Sequence, residues 1–291
     1  MKIAVASGKG GTGKTTLSIN LSSYLAENKI FKSLILADLD VEEPNSGLFI
    51  NGKTVETVEK YKFIPEWNKE KCTNCGLCER VCNFNSVLQF GKTIMILPEL
   101  CHSCYACSEL CPVDALPMKP QRMGEMKLVD ASTYTFIESR LDIGQEQAVP
   151  LIAQTIEYID EYSQSSDDMV IIDSPPGTSC PVIEVAKNSD FIILVTEPTP
   201  FGLHDLNLAV ETMREIGKEF AVVINRWGIG NEDVIKYCED NKIKIIAKLP
   251  NMRKIAEIYS EGRLIYNDVP GFKAELSKVA DFLVELKRSS N

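Results

Sequence analysis

Gly8-Lys9-Gly10-Gly11-Thr12-Gly13-Lys14-Thr15 is the stretch whose reading decides the fold. It fits the phosphate-binding pattern G-x-x-x-x-G-K-[ST], in which glycines let backbone N–H groups turn inward around phosphate oxygens. A helix starting there adds its positive end, Lys14 sets an ammonium against the β- and γ-phosphates, and Thr15 offers a hydroxyl to Mg²⁺. The string lies where the pattern needs it. The apolar run of Lys2–Ala6 before it reads as a strand, and Lys14–Asn28 after it carries Leu17, Leu21 and Leu25 at helical spacing.

Outward from this loop, apolar runs alternate with amphipathic stretches. Ser33–Ala37, Met169–Ile172, Phe191–Val195, Phe220–Ile224 and Ile243–Ala247 read as strands. Gln145–Tyr162, His204–Ile216, Asn231–Asn241 and Phe272–Leu286 read as helices. Such alternation predicts an α/β fold with a mostly parallel sheet and helices on both faces, its Val/Ile/Leu-rich strands buried on both sides. Asp38-Leu39-Asp40 ends one strand and Asp173-Ser174-Pro175-Pro176-Gly177 ends another. Carboxylates at the C-terminal ends of parallel strands lie on the edge where these sheets take ligands. An Asp at a strand end also serves as a plain helix cap, so the combination with the glycine loop is what points to phosphate chemistry.

Between about Lys62 and Pro120 the alternation breaks down. Eight of the ten cysteines fall between Cys72 and Cys111. Cys72-x₂-Cys75-x₂-Cys78-x₃-Cys82 recurs 29 residues later as Cys101-x₂-Cys104-x₂-Cys107-x₃-Cys111-Pro112, with two short β-like pieces, Val87–Phe90 and Thr93–Leu97, in between. Cysteines packed this way read as metal binding sooner than as a disulfide framework. Four thiolates also suit zinc, but zinc modules usually pair two separated Cys-x₂-Cys knuckles. Cys180 and Cys238 lie outside the repeat, and His102 and His204 are too scattered for a metal or proton-transfer role.

The 291 residues carry 31 Lys+Arg against 41 Asp+Glu, a net charge of −10. That balance argues against a nucleic-acid partner, which calls for a basic face. The longest apolar runs are about five residues, against about 20 for a membrane span, and the N-terminus lacks a signal-peptide layout. The final helix mixes Lys273, Glu275, Lys278, Asp281 and Glu285 on its polar side, unlike a basic membrane anchor. The expectation is a cytoplasmic protein with neither membrane nor nucleic acid as partner.

With its extra lysine, Lys9-Gly10-Gly11-Thr12-Gly13-Lys14-Thr15 resembles the deviant Walker A loop of the MinD/Mrp/ParA group of the SIMIBI P-loop NTPases, related to the nitrogenase iron protein. The resemblance implies an ATP-dependent homodimer that binds ATP and Mg²⁺. Gly8, Gly10, Gly11, Thr12, Gly13, Lys14, Thr15 and Thr16 would wrap the phosphates, with Thr15 on Mg²⁺. Lys9 would reach the partner subunit's nucleotide, Asp40 would orient the attacking water, and Asp173 would sit behind Mg²⁺. Gly177 would sense the γ-phosphate, Asn225 would hydrogen-bond adenine, and Pro250 would begin the loop beside the base. Lys9, Lys14, Asp40 and Asp173 are thus the implied catalytic set.

The cysteine spacing resembles the two-cluster bacterial ferredoxins, in which each fourth cysteine serves the other cluster. That implies one [4Fe–4S] cluster on Cys72, Cys75, Cys78 and Cys111 and a second on Cys101, Cys104, Cys107 and Cys82. Asn83 stands where proline is usual after the fourth cysteine of the first run. The implied organisation is an ATPase domain of residues 1–61 and 121–291 around an inserted α+β ferredoxin domain of residues 62–120. The expected function is ATP hydrolysis coupled to low-potential electron transfer to a redox or Fe–S client protein. Two alternatives stand beside it: an Fe–S carrier of the Mrp type, whose bridging Cys-x-x-Cys is missing here, and a MinD/ParA-like spatial organiser. Cys180 is expected to be unligated near the dimer interface.

Overall fold

Every residue of Asp168–Asp173 and Phe191–Thr196 is buried, as are four of the five in Lys2–Ala6, so these strands are covered on both faces. In the computed structural model, which describes residues 1–163 and 168–289, the chain begins with β1 (Lys2–Ala6), α1 (Lys14–Glu27), β2 (Ser33–Asp38) and β3 (Lys53–Pro65). The cysteine-rich part follows as α2 (Leu77–Arg80), β4 (Val87–Phe90), β5 (Thr93–Ile96) and α3 (Ala106–Glu109). Then come β6 (Met118–Asp130), β7 (Thr135–Leu141), α4 (Ala148–Tyr162), β8 (Asp168–Asp173), α5 (Cys180–Lys187), β9 (Phe191–Thr196) and α6 (Pro200–Glu215). The chain finishes with β10 (Phe220–Trp227), α7 (Asp233–Asp240), β11 (Ile245–Pro250), α8 (Arg253–Ser260) and α9 (Pro270–Ser289).

Nine strands form one sheet in the order β11-β10-β9-β1-β8-β2-β7-β6-β3, and the pairings from β11 through β7 are parallel. Alternate residues Ile3, Val5, Met169, Ile171, Ile193 and Val195 enter one core with Leu17, Leu21 and Leu25 of α1 and Phe272, Leu276, Val279 and Leu283 of α9. The intervening residues are buried as well, and on that face α5 packs on β1 and α6 on β9. The register places Val5 and Asp38 opposite Asp173 on the two sides of β8. Both aspartates therefore end beside the glycine loop.

The chain divides into two compact units, one of Met1–Thr57, Met126–Arg140 and Ile152–Asn291, the other of Val58–Glu125 and Leu141–Leu151. Cys72 to Cys111 lie in the second. It has its own antiparallel hairpin, β4 with β5, and a small core of Val87, Ile94, Cys107 and Leu116.

Some local expectations change. Regular alternation does not resume directly after Pro120: β6 and β7 come first. Nor does β2 run to Asp40. It stops at Asp38, whose carboxylate accepts the Asp40 amide and turns the chain. The helix expected from Gln145 starts at Ala148, and the one expected from His204 starts at Pro200, where Thr199 caps it by accepting the Gly202 amide. Strand β3 carries no apolar run to mark it, because its Lys and Glu residues give a largely exposed strand.

Candidate nucleotide site and two thiol-lined cavities

The glycine loop leaves β1 at Ser7 and enters α1 at Lys14. Gly11 and Gly13 take positive φ (76° and 98°), a conformation glycine adopts without penalty. A Cβ on Gly8 would stand 2.1 Å from the Asp205 carbonyl oxygen, so α6 packs against the loop with no room for a side chain. Ser7 Oγ donates to the Lys9 carbonyl at 2.6 Å. Gly177, also at positive φ, donates its amide to the Ser7 carbonyl at 3.0 Å, tying the Asp173–Gly177 segment to the loop.

Lys14 is 6% exposed and faces Asp173, Asp40 and Asp38; burial lowers its pKa, and the three carboxylates oppose that shift. Asp173 is buried and accepts hydrogen bonds from Ser18 Oγ (3.2 Å), Ser46 Oγ (3.4 Å) and the Thr15 side chain. Asp38 accepts the amides of Asp40, Asn45 and Ser46 at 3.1, 3.1 and 2.9 Å. It thereby holds the loop that carries Asp40. Burial pushes both Asp38 and Asp173 well above the usual carboxylate range. Asp40 rises to about 6, first through burial and then through Asp38. One lysine among three crowded carboxylates is a ready site for a hard cation. Among the described residues no three Asp, Glu, His or Cys side chains converge to cage an ion alone. Mg²⁺ takes one or two protein oxygens and completes its shell with phosphate and water.

These shifts carry a stability consequence. Between the ordinary carboxylate pKa of 3.8 and about 6, folded Asp40 keeps a proton that the unfolded chain has lost. The stability linked to that proton is fully present below about pH 4 and is lost as pH rises through about 6. Asp40→Asn should therefore raise the melting temperature of the nucleotide-free protein relative to wild type, by more at pH 7.5 than at pH 5. Scanning calorimetry at the two pH values checks this, and an offset equal at both contradicts it.

The remaining residues of this site meet from distant parts of the chain. Asn225 donates from Nδ2 to the Thr12 carbonyl at 2.7 Å, and a Cβ on Gly13 would stand 2.2 Å from the same nitrogen. Arg226 takes a positive φ of 52°, pairs with Glu197 at 2.7 Å and reaches the Gly11 carbonyl at 3.5 Å. Pro250 pairs with Trp227 at the end of β11. The Thr16 side chain hydrogen-bonds Tyr259. Lys9 lies 3.6 Å from Asp205 of its own chain and is partly exposed. The Thr12 hydroxyl is buried and has no partner. Asp38, Glu197, Asp205 and Arg226 were not singled out as site residues. Only Asp38 gave a sequence signal, as a carboxylate ending a buried strand.

In the second unit the eight cysteines of the repeat are free thiols that line two cavities, four in each. Cys72, Cys75, Cys78 and Cys111 line one with Trp67, Leu77, Ile94 and Leu116. Cys82, Cys101, Cys104 and Cys107 line the other with Phe84, His102 and Tyr105. The 29-residue repeat is also a repeat of backbone. Asn74, Gly76 and Asn85 have positive φ, and so do Ser103, Tyr105 and Asp114, each 29 residues on. Helix α3 follows α2 at the same offset. The Ser86 amide donates to Cys82 Sγ at 3.3 Å and the Ala115 amide to Cys111 Sγ at 3.2 Å, again 29 apart. Burial and the neighbouring thiols raise the Cys107 pKa to about 11, so four thiolates there call for bound cationic charge.

The remaining two cysteines belong to the first unit. Cys238 is buried in α7, and Cys180 is exposed at the start of α5.

Residues 3–265 match the CobQ/CobB/MinD/ParA nucleotide binding domain. An uncharacterized protein of Methanocaldococcus jannaschii is 29% identical over 281 residues, covering 95% of this chain and 96% of its own. The iron-sulfur cluster carrier protein of Pyrococcus horikoshii is 25% identical over 308 residues, covering 98% and 86% respectively. Among solved structures, the septum site-determining protein MinD of Pyrococcus horikoshii, complexed with Mg-ADP, shares the fold. Its TM-score is 0.59 at 18% identity, covering 98% of this chain and 96% of that one. No helix among the described residues is long and apolar enough to cross a membrane. With its glycine loop, paired strand-end aspartates and a match over nearly its whole length, the chain belongs to the CobQ/CobB/MinD/ParA nucleotide-binding family.

Proposed function

We propose that this protein binds and hydrolyses ATP with Mg²⁺ and couples the cycle to low-potential electron delivery through two [4Fe–4S] clusters. The observation that carries the proposal is one chain holding a buried Lys14 among Asp38, Asp40 and Asp173 together with eight thiols grouped four by four around two cavities. At the nucleotide site the chemistry is positioning and charge balance. Lys14 meets the β- and γ-phosphates, Thr15 and Asp173 hold Mg²⁺ directly and from behind, and Asp40 orients the water. Asn225 takes the adenine edge beside Pro250, and Gly177 relays the presence of the γ-phosphate to Ser7 through its amide. Lys9 serves the partner subunit's nucleotide in an ATP-dependent homodimer. To do so it must leave Asp205, a pair that partial exposure keeps weak.

Cys72, Cys75, Cys78 and Cys111 hold one cluster, and Cys101, Cys104, Cys107 and Cys82 hold the other. When bound, the clusters supply one-electron storage at low potential. The peptide N–H groups aimed at Cys72, Cys82 and Cys111 steady the thiolates. The likeness to iron-sulfur cluster carrier proteins favours a second reading, delivery of whole clusters to an apo-protein. One experiment separates them. Pre-reduced, cluster-loaded protein is mixed with a one-electron dye acceptor or with an apo-ferredoxin, with and without ATP. The proposal expects ATP-dependent dye reduction with the iron still on this chain. Iron movement to the apo-ferredoxin without dye reduction supports the carrier reading instead.

A further inference from the structure

The two thiol-lined cavities are related by the 29-residue repeat, but Trp67 stands outside that relation. Trp67 lines the cavity of Cys72, Cys75, Cys78 and Cys111, whereas the residue 29 positions on is Ile96, which cannot donate a hydrogen bond. No tryptophan lines the other cavity. The Trp67 indole Nε1 is buried, and neither a carbonyl nor a cysteine sulfur accepts from it. An indole N–H is a donor only, and leaving one buried and unpaired is costly. Its surroundings also fix where it stands. The flanking amides of Glu66 and Asn68 donate to the carbonyls of Pro117 and Ala115, both at 2.8 Å, and Asn68 Oδ1 accepts the Glu70 and Lys71 amides on the way to Cys72. Trp67 packs against the small core of Val87, Ile94, Cys107 and Leu116 in this unit. A fixed, dry, unpartnered donor on the wall of a four-thiol cavity is placed to serve what fills the cavity.

We propose that the Trp67 indole N–H donates a hydrogen bond to a sulfur of the cluster held by Cys72, Cys75, Cys78 and Cys111, making Trp67 a positioning residue that raises that cluster's reduction potential above what its thiolates alone would set. The inference rests on the cluster assignment proposed above. Adding one electron puts more negative charge on the cluster sulfurs, and a donor facing them stabilises the reduced form without giving up its proton. The other cavity has no tryptophan and carries His102 and Tyr105 on its wall instead, so the repeat produces two unequal redox centres from equal ligand sets.

The test is Trp67→Phe in the full chain, reconstituted with iron and sulfide. Phenylalanine keeps an aromatic ring and the flanking backbone bonds while removing the donor together with the five-membered part of the indole. Iron and sulfide contents near eight of each per chain establish that both clusters are present. With both present, one of the two reduction steps is expected to move to more negative potential by about tenfold in its equilibrium, which is about 59 mV for one electron, while the other stays. Two unmoved steps overturn the proposal, and absence of [4Fe–4S] clusters from the wild-type protein overturns the assignment beneath it. If Trp67→Phe does not fold, Trp227→Phe serves, because it leaves Trp67 as the sole tryptophan of the chain. Its ¹⁵N-indole resonance should be sharp in the apo-protein and strongly shifted or broadened after cluster loading. A resonance unchanged by loading overturns the proposal equally.

Discussion

Cys111→Ala lowers the number of [4Fe–4S] clusters per chain from two to one, and adding Cys75→Ala to it removes nothing further. Adding Cys104→Ala to Cys111→Ala instead removes both clusters. This pattern is the signature of crossed ligation, because Cys111 follows Cys104 and Cys107 in sequence yet lines the cavity of Cys72, Cys75 and Cys78. Cys82 does the reverse, standing at the end of the first run and lining the cavity of the second. Uncrossed ligation predicts the opposite double-mutant behaviour: Cys111 with Cys104 would be one lesion, and Cys111 with Cys75 would be two. Mössbauer spectra of ⁵⁷Fe-reconstituted variants count the intact clusters directly. The expected effect is large because a metal site lives on its full ligand set, and the thiols raised by burial, such as Cys107, have no stable thiolate form without it. Two clusters surviving in Cys111→Ala contradict the assignment.

Lys14→Met abolishes most ATP turnover, lowering kcat on the order of 10²–10³-fold, the range seen when one preorganised charge-stabilising donor is removed. Lys14 is nearly sealed from water and has three carboxylates around it, so its loss leaves Asp38, Asp40 and Asp173 with no protein cation to face. The anionic Mg²⁺–nucleotide complex then meets carboxylates without their balancing ammonium, and affinity falls with turnover. Lys14→Arg does not restore the rate, because a planar fork fills a place shaped for a compact ammonium. Lys9→Ala behaves differently. Lys9 stands at Asp205 outside the carboxylate cluster, so nucleotide affinity of the single subunit should hold while turnover drops. Steady-state hydrolysis alongside equilibrium binding of a fluorescent ATP analogue separates the two variants. Turnover of Lys14→Met within a few-fold of wild type contradicts the proposed role.

What could be read in the sequence was whatever is written in local spacing. The glycine loop, the cysteine repeat and the strands made of solid Ile, Val and Leu each show their period within a dozen residues. Strands β3, β6 and β7 were not legible. Lys53–Pro65 mixes Lys, Glu and Tyr with a few apolar residues and is largely exposed, so no apolar run marks it. The finer wiring of the nucleotide site was hidden for another reason. Asn225 meets Thr12 across 213 positions, and Lys9 meets Asp205 across nearly as many. Such contacts are products of strand order, which puts β1 between β9 and β8 and so delivers α6 and the end of β10 to the loop. Trp67 is the intermediate case. Its place near Cys72 is visible in the sequence, but that its indole is buried without a partner is a property of the fold.

The central claim is that one nucleotide cycle governs the redox properties of two clusters on the same chain. Potentiometric titration of the cluster-loaded protein, with and without a non-hydrolysable ATP analogue and Mg²⁺, tests it most directly. The account predicts that at least one cluster potential shifts on nucleotide binding and that Lys14→Met abolishes the shift. Identical potentials with and without the nucleotide, under conditions where it is bound, would contradict it.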